Sequence, residues 1–397
     1  MRGIIVLLAV LVFASVTYLL LMSGPTSEDS STTLSVTSAL GADTVGYRRA
    51  DRVIPIVFPR DHGAHPEFKT EWWYYTGHLQ ARDGREFGFQ FTIFRTALTP
   101  PPDAGEDERV DRSTIGVSAW RTNQLYTGHL ALTDIARGAF YSEEVNDRGA
   151  TGLAGSRPMP GKIWVRDWVL RVGEGPSPNF DIRARGEDFS LDLTLVPEKP
   201  AVFHGDRGLS PKSYDDRNAS YYYSYTRMSA RGAIEVGEER HSVSGSAWMD
   251  HEWSTSALGE DQIGWDWFSL QFVDGRELMY FRVRSRLPEQ IPFVEATLVA
   301  PDGTHNQISG DDIQLTELDY WTSPASGVRY PSEWRLEAPA LGLSVLITPR
   351  LDNQEMNLGV RYWEGAVEVR GDTERPVGRG YVEMTGHDED ATPRSDE

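Results

Sequence analysis

The chain has 397 residues, of which 39% are hydrophobic and 11% aromatic, which is enough apolar material for a large core and favours β structure. Its formal net charge of −20 argues against nucleic acid as a partner, because a nucleic-acid-binding protein must present Lys and Arg to phosphates. The chain has no cysteine, so disulfides and thiol nucleophiles are excluded.

The first segment is an uncharged, mostly apolar run at residues 4–22, preceded by Arg2. Its length is close to that of a membrane-spanning helix and is long for a secretory signal, and Arg2 orients the rest of the chain outward. We therefore expect residues 1–24 to be a signal-anchor or a cleaved signal peptide. The folded part would then lie at the periplasmic face or outside the cell, with membrane contact through this segment only. Residues 25–50 predict a flexible spacer, and residues 389–397 an acidic tail.

Between residues 51 and 388 the apolar side chains alternate with period two. FGFQFTIF at 87–94 and FSLDLTLV at 189–196 each place their apolar residues on one strand face. Asp-Gly turn signals separate such segments, and no stretch beyond residue 22 predicts a long amphipathic helix. The expected fold class is all-β, with antiparallel barrels or sandwiches.

An internal repeat divides this region. Residues 71–94 and 264–284 share an aromatic strand, a DGRE turn and a second strand. We expect two β domains in tandem, residues 51–257 and 258–388, each opening with this hairpin.

The first aromatic segment, HPEFKTEWWYYTGHL at 65–79, predicts a strand with two different faces. Trp72, Tyr74 and His78 share one face, and Trp73 and Tyr75 the other. The first face is mixed aromatic and polar, as expected of a ligand-cavity wall inside a barrel, and the second predicts core. Core packing of Trp72 and a structural, hydrogen-bonded His78 remain alternatives.

The second aromatic segment is SGSAWMDHEWSTSALGEDQIGWDWFSLQF at 244–272. As a strand its first half places His251 and Trp253 on one face and Asp250 and Glu252 on the other. Three consecutive ionisable residues between tryptophans are poor core material. They predict either a functional site or a buried network at the domain junction.

Beyond the loop, Trp265 and Trp267 face one way and Asp266 faces the other, with apolar neighbours. A carboxyl group on an apolar face should find a partner or have a raised pKa. A carboxyl group that stays protonated can act as a general acid.

Several sequence motifs are missing from the chain. It has no GxSxG nucleophile elbow, no P-loop and no GxGxxG after a strand, so we expect no cofactor. His251 with a neighbouring carboxylate makes a metal site conceivable. No HxH, HExxH or His/Cys array supports one, so we expect no metal.

HPEFKTEWWYYTGHL with FGFQFTIFR, and WMDHEWSTS with GWDWFSLQF, resemble the exported lipocalin-like proteins of the AttH and carotenoid 1,2-hydratase family. These proteins are often labelled secreted hydrolases, and the resemblance covers most of residues 51–388. It implies tandem lipocalin-like barrels and leaves the activity open.

The carotenoid branch of that family hydrates a C=C bond, which requires an acid, a water molecule and aromatic faces that stabilise a cation. The resemblance implies proton-handling residues and aromatic walls at Asp250, His251, Asp266, Tyr280, Trp253, Trp265 and Trp267. An acidic residue expected soon after Tyr280 in that branch is absent, because Phe281, Arg282 and Val283 follow it. This departure favours the AttH type.

We therefore expect an exported lipocalin-like protein that binds an apolar small molecule, lipid- or isoprenoid-like, and hydrolyses or hydrates it by acid–base chemistry. Asp250 and His251 are the leading proton-transfer candidates. The expected ligand contacts are Trp72, Tyr74, His78, Trp253, Trp265 and Trp267. One alternative is a non-catalytic carrier or chaperone that works beside components of an ABC export system. The others are a carotenoid 1,2-hydratase, and aromatic clusters that only join the two barrels.

Overall fold

A computed structural model describes residues 44–101, 123–158, 161–175, 178–214, 218–255, 258–259, 261–287, 290–371 and 375–388. The predicted signal segment, the spacer up to residue 43 and the acidic tail lie outside these ranges. Within them, no helix has the length and apolar character needed to cross a membrane. The helical segments described are single 3-10 turns at Arg60–His62, Ala150–Gly152, Gly310–Asp312 and Pro339–Leu341.

The first sheet contains thirteen strands. They are β1 (Thr70–Ala81), β2 (Glu86–Ala97), β3 (Gln124–Asp134), β4 (Ala139–Arg148), β5 (Ala154–Arg157), β6 (Gly161–Val165), β7 (Trp168–Val172), β8 (Phe180–Arg185), β9 (Phe189–Pro197), β10 (Val202–Phe203), β11 (Leu209–Pro211), β12 (Ala219–Val236) and β13 (Glu239–Ser254). The order is β4-β3-β2-β1-β13-β12-β9-β8-β7-β6-β5, and β10 and β11 pair with β12.

The second sheet contains ten strands. They are β14 (Gln262–Phe272), β15 (Glu277–Ser285), β16 (Phe293–Val299), β17 (His305–Ser309), β18 (Gln314–Thr322), β19 (Arg329–Ala338), β20 (Leu343–Pro349), β21 (Glu355–Asn357), β22 (Arg361–Arg370) and β23 (Pro376–Thr385). The order is β17-β16-β15-β14-β23-β22-β20-β19-β18, and β21 pairs with β22.

The fold class prediction is confirmed. The first sheet curls into a nearly closed barrel and the second into a half-barrel. In each sheet the opening strand pairs with its hairpin partner on one side and with the last strand of the sheet on the other, as β2-β1-β13 and β15-β14-β23. The two hairpins that carry the DGRE repeat therefore occupy equivalent places. The division into two domains stays a prediction.

Strand β1 has the two faces that its alternation predicts. Trp73, Tyr75 and Leu79 are buried in the core inside the first sheet. Tyr74, with Trp72 packed beside it, belongs to a separate cluster that also contains Trp267 of the second sheet. The mixed face therefore lies between the two sheets and not inside a barrel, because aromatic and aliphatic side chains already fill the barrel interior.

Candidate active site between the two sheets

A cavity of about 100 Å³ lies where β1, β12 and β13 of the first sheet face β14, β15 and β23 of the second. We call it the inter-sheet cavity. Its described lining residues are Trp72, Tyr74, Phe94, Lys212, Tyr222, Asp250, Glu252, Trp265, Trp267, Phe281, Val283 and Glu383. The walls are mostly aromatic and three carboxyl groups enter them, so the cavity suits an apolar molecule that meets acidic groups.

Asp250 lies at the centre of the wall from the first sheet, between Tyr74 of β1 and Ser224 of β12 in the strand register. The Ser224 hydroxyl and the Trp248 indole, at 2.7 Å, donate to Oδ1, and the Tyr222 hydroxyl donates to Oδ2 at 2.9 Å. These hydrogen bonds favour the ionised carboxylate, but burial outweighs them and raises the pKa of Asp250 to about 7. Near neutral pH this carboxyl group can therefore hold a proton or release it.

The second sheet contributes a pair of carboxyl groups. Glu364 and Glu383 are direct partners across β22 and β23. The Trp265 indole donates to Glu383 at 2.7 Å, and the Tyr74 hydroxyl donates to Glu364 at 2.7 Å. Burial raises the pKa of Glu383 to about 7 and that of Glu364 well above its ordinary value. Glu383 raises the pKa of Glu364 further, whereas the hydrogen bond with Glu364 lowers that of Glu383. Two carboxyl groups placed in this way share a proton.

An ion pair closes one side of the inter-sheet cavity. The Lys212 ammonium lies 2.9 Å from Glu252. It also lies 4.9 Å from the ring centre of Tyr222 and 4.3 Å from that of Phe281. The positive charge is thus balanced by a carboxylate and fixed against two aromatic faces.

Five of the predicted site residues line this cavity, namely Asp250, Trp72, Tyr74, Trp265 and Trp267. Sequence reasoning did not find Tyr222, Lys212, Glu364 or Glu383. They come from strands or turns far along the chain and carry no short motif. The register that brings them together depends on how the two sheets pack.

His251 does not share the cavity with Asp250, because it points to the inside of the first sheet, between Trp73 and Tyr223. Its Nε2 lies 2.9 Å from Glu71, and the Nδ1 of His65 lies 2.7 Å from the same carboxylate oxygen. Trp253 packs in this interior as well, stacked on the His65 ring at 3.8 Å. The two leading proton-transfer candidates therefore lie on opposite faces of β13.

Glu71 is the centre of a buried polar network in the first sheet. The Arg95 guanidinium donates to its second oxygen at 2.8 Å. Burial alone would raise the pKa of Glu71, but Arg95 and His65 hold it well below its ordinary value. Burial lowers the pKa of His65, but Glu71 and Asp61 outweigh this and raise it to about 9, whereas burial keeps the pKa of His251 low. Among the described residues, His65, Glu71 and His251 form the group with metal-ligand spacing, their ligand atoms lying within 4.8 Å of one another.

Asp266 and Tyr280 also lie away from the inter-sheet cavity, on the inner face of the second sheet. Asp266 is bonded to Arg282 at 2.7 Å and to His387 at 2.8 Å. Burial would raise its pKa, but these cations lower it, so the carboxyl group has found partners and stays ionised. Tyr280 packs in the core against Phe268, with ring centres 5.7 Å apart. The general-acid role that the sequence suggested for a protonated Asp266 has no support here.

His78 lies between the sheets but in a different cleft, which it shares with Arg227, Arg350 and Arg379. Its Nε2 lies 2.8 Å from the carbonyl oxygen of Gly380 and donates to it. Burial lowers the pKa of His78 to about 3, so the ring is neutral. It is placed as a hydrogen-bonded histidine that joins the two sheets.

A comparison with curated proteins found no match. Among solved structures, an AttH candidate from Nitrosomonas europaea is 33% identical and superposes with a TM-score of 0.71, over 84% of this chain and 97% of that one. Kievitone hydratase from Nectria haematococca is 13% identical and superposes with a TM-score of 0.61, over 86% of this chain and 98% of that one, a likeness that shows the fold alone. A family model described as AttH-like matches residues 49–387, so the chain belongs to the AttH-like family.

Proposed function

We propose that the chain adds water across a C=C bond of an apolar small molecule held in the inter-sheet cavity. The observation that carries this proposal is Asp250, a buried carboxyl group with a pKa raised to about 7 in a wall of aromatic side chains. A protonated acid in an apolar site is what protonation of an alkene requires.

The reaction needs two carboxyl groups in different roles. Asp250 donates its proton to one alkene carbon, which leaves a carbocation at the other. A water molecule adds to the cation, and Glu383, in its ionised form, accepts the proton that this water loses. One water molecule is consumed, and solvent returns a proton to Asp250 and removes one from Glu383.

Aromatic faces support the charged intermediate. Trp72 and Trp267 line the cavity, and ring faces stabilise a cation by their quadrupole. Lys212 would repel a cation, but its pairing with Glu252 at 2.9 Å offsets that charge. The similar fold of kievitone hydratase supports hydration as a reaction that such a scaffold accommodates. Hydrolysis through a Ser or His side chain has less support, since neither residue occurs among the described lining residues.

The second candidate function is binding without catalysis, as a carrier of the same apolar ligand. It is favoured by the hydrogen bonds of Asp250, because both carboxylate oxygens already accept from protein donors. A carboxyl group held in this way can be purely structural.

The test is incubation of the purified chain with isoprenoid and phenolic alkenes in ¹⁸O-labelled water. Hydration predicts products that carry one labelled oxygen, and a loss of at least about 100-fold in rate for Asp250→Asn, the usual contribution of a general acid. Asp266→Asn, the same change at an equally buried carboxyl group outside the inter-sheet cavity, should be affected much less. A ligand that co-purifies unaltered, bound equally by wild type and Asp250→Asn with no labelled product, would establish the carrier instead.

We also propose that the folded part works outside the cytoplasm, with components of an ABC export system as partners if it is a carrier. The apolar run at residues 4–22 behind Arg2 supports this location. A C-terminal alkaline phosphatase fusion, active only after export, tests it, and an inactive fusion would overturn it.

A further inference from the structure

We infer that His65, Glu71 and His251 bind a zinc ion inside the first sheet. This site lies on the opposite face of β13 from Asp250, so it does not depend on the proposed hydration. Two imidazoles and one carboxylate are a known ligand set for zinc with a free fourth position. The three residues are separated by up to 186 positions, so the arrangement appears only in the fold.

Two imidazole nitrogens approach the same carboxylate oxygen. His65 Nδ1 and His251 Nε2 lie 2.7 and 2.9 Å from the same oxygen, Oε1 of Glu71. Ligands at zinc bond lengths in a tetrahedron are separated by about 3.3 Å. The imidazole rings must therefore move about half an ångström away from Glu71 and also towards each other, because the three ligand atoms now span up to 4.8 Å.

The other ring nitrogens and the second oxygen of Glu71 already have hydrogen-bond partners, as the outer atoms of zinc ligands usually do. Asp61 lies 3.4 Å from the Nε2 of His65, and the Tyr223 hydroxyl lies 3.1 Å from the Nδ1 of His251. Arg95 and the backbone N–H of His65 donate to the other oxygen of Glu71. Such outer contacts fix the tautomer and orientation of metal ligands, and every ligand of this group has one.

The partly exposed His65 gives an ion a path to the site. Glu71 and His251 are fully buried, while the His65 side chain is 12% exposed and leads to the surface. Trp73 and Trp253 stack on the imidazole rings and limit the entry of water. Arg95 pairs with Glu71 at 2.8 Å and Arg60 pairs with Asp61 at 2.6 Å, so the ion must share these two carboxylates with guanidinium groups.

The experiment uses the full chain without a His tag, stripped with a chelator and then titrated with zinc and, separately, with cobalt. We expect wild type to bind about one zinc per chain and to give the intense visible absorption of four-coordinate cobalt. His65→Gln and His251→Gln should each weaken zinc binding by more than about tenfold.

The matched control is His387→Gln. His387 is an equally buried histidine bonded to a carboxylate, 2.8 Å from Asp266, but outside the metal-ligand group. Its substitution should leave zinc binding unchanged. Wild type that takes up no zinc after stripping, or ligand variants that bind as tightly as His387→Gln, would overturn the site and leave a hydrogen-bonded ion-pair network. If the ligand variants do not fold, the wild-type cobalt spectrum decides, since octahedral or absent cobalt contradicts the proposal.

Discussion

Replacing Asp250 by Asn should remove a definite part of the pH dependence of stability. The folded pKa of Asp250 is about 7 and its ordinary value is 3.8. Between these values the folded chain binds one proton more than the unfolded chain. The free energy of unfolding is therefore highest, as far as Asp250 is concerned, below pH 4, and it falls as the pH rises to about 7.

The size of the effect follows from the two pKa values. Their difference corresponds to about 4 kcal/mol, of which roughly 3 kcal/mol falls between pH 5 and pH 8. Asn keeps the size of the side chain and its acceptor for the Ser224 and Trp248 donors, and its amide can donate to the Tyr222 hydroxyl. The variant should therefore gain stability on wild type as the pH rises from 5 to 8.

Urea denaturation followed by tryptophan fluorescence, at pH 5, 6, 7 and 8, measures this difference directly. Asp266→Asn is the matched control, because Asp266 is an equally buried carboxyl group whose pKa is lowered by its cationic partners. The difference in the free energy of unfolding between Asp266→Asn and wild type should not rise with pH in this range as it does for Asp250→Asn. If the difference in the free energy of unfolding between Asp250→Asn and wild type stays constant from pH 5 to 8, Asp250 is not protonated in this range and the proposed general acid is refuted.

Four further substitutions test the packing. Trp73→Ala should lower the free energy of unfolding by about 3–5 kcal/mol, because Trp73 is fully buried. Trp72→Ala should lower the free energy of unfolding by less and should mainly weaken ligand binding. Urea denaturation measures the first effect, and ligand titration measures the second. Glu71→Gln should cost about 3–5 kcal/mol in urea denaturation, because it leaves the Arg95 guanidinium buried without its carboxylate, and a loss below 1 kcal/mol would contradict this. Gly77→Ala should lower the melting temperature, because its Cβ would lie 2.4 Å from a carbonyl oxygen of the neighbouring strand, and an unchanged melting temperature would contradict that packing.

The sequence predicts the fold class well because alternation and turns are local signals. FGFQFTIF became β2, and the two DGRE hairpins became the opening hairpins of the two sheets. Parity also placed Trp73 apart from Trp72, and His251 apart from Asp250, as the structure has them.

What parity does not determine is the environment on each side of a strand. The face that carries Trp72 and Tyr74 was expected to line the interior of a barrel, but it packs against the second sheet. That outcome depends on which sheet face closes and which is covered, a property of the packing of distant strands. For the same reason the pairing of Glu364 with Glu383, and their approach to Asp250, had no local signal.

Strand β13 therefore contributes side chains to two different polar sites. In β13, Asp250 enters the inter-sheet cavity, and the next residue, His251, enters the polar network with Glu71. A strand of alternating residues can do this only while its register with β1 and β12 holds, because a slip of one residue exchanges the two faces. Loss of activity in a His251 variant would not by itself make His251 a catalytic residue, since its ring lies on the far side of the sheet from the cavity. A functional link between the two faces requires a His251 variant that loses turnover although the contribution of Asp250 to the pH dependence of stability is unchanged. That retained contribution would show that the surroundings of Asp250 are intact.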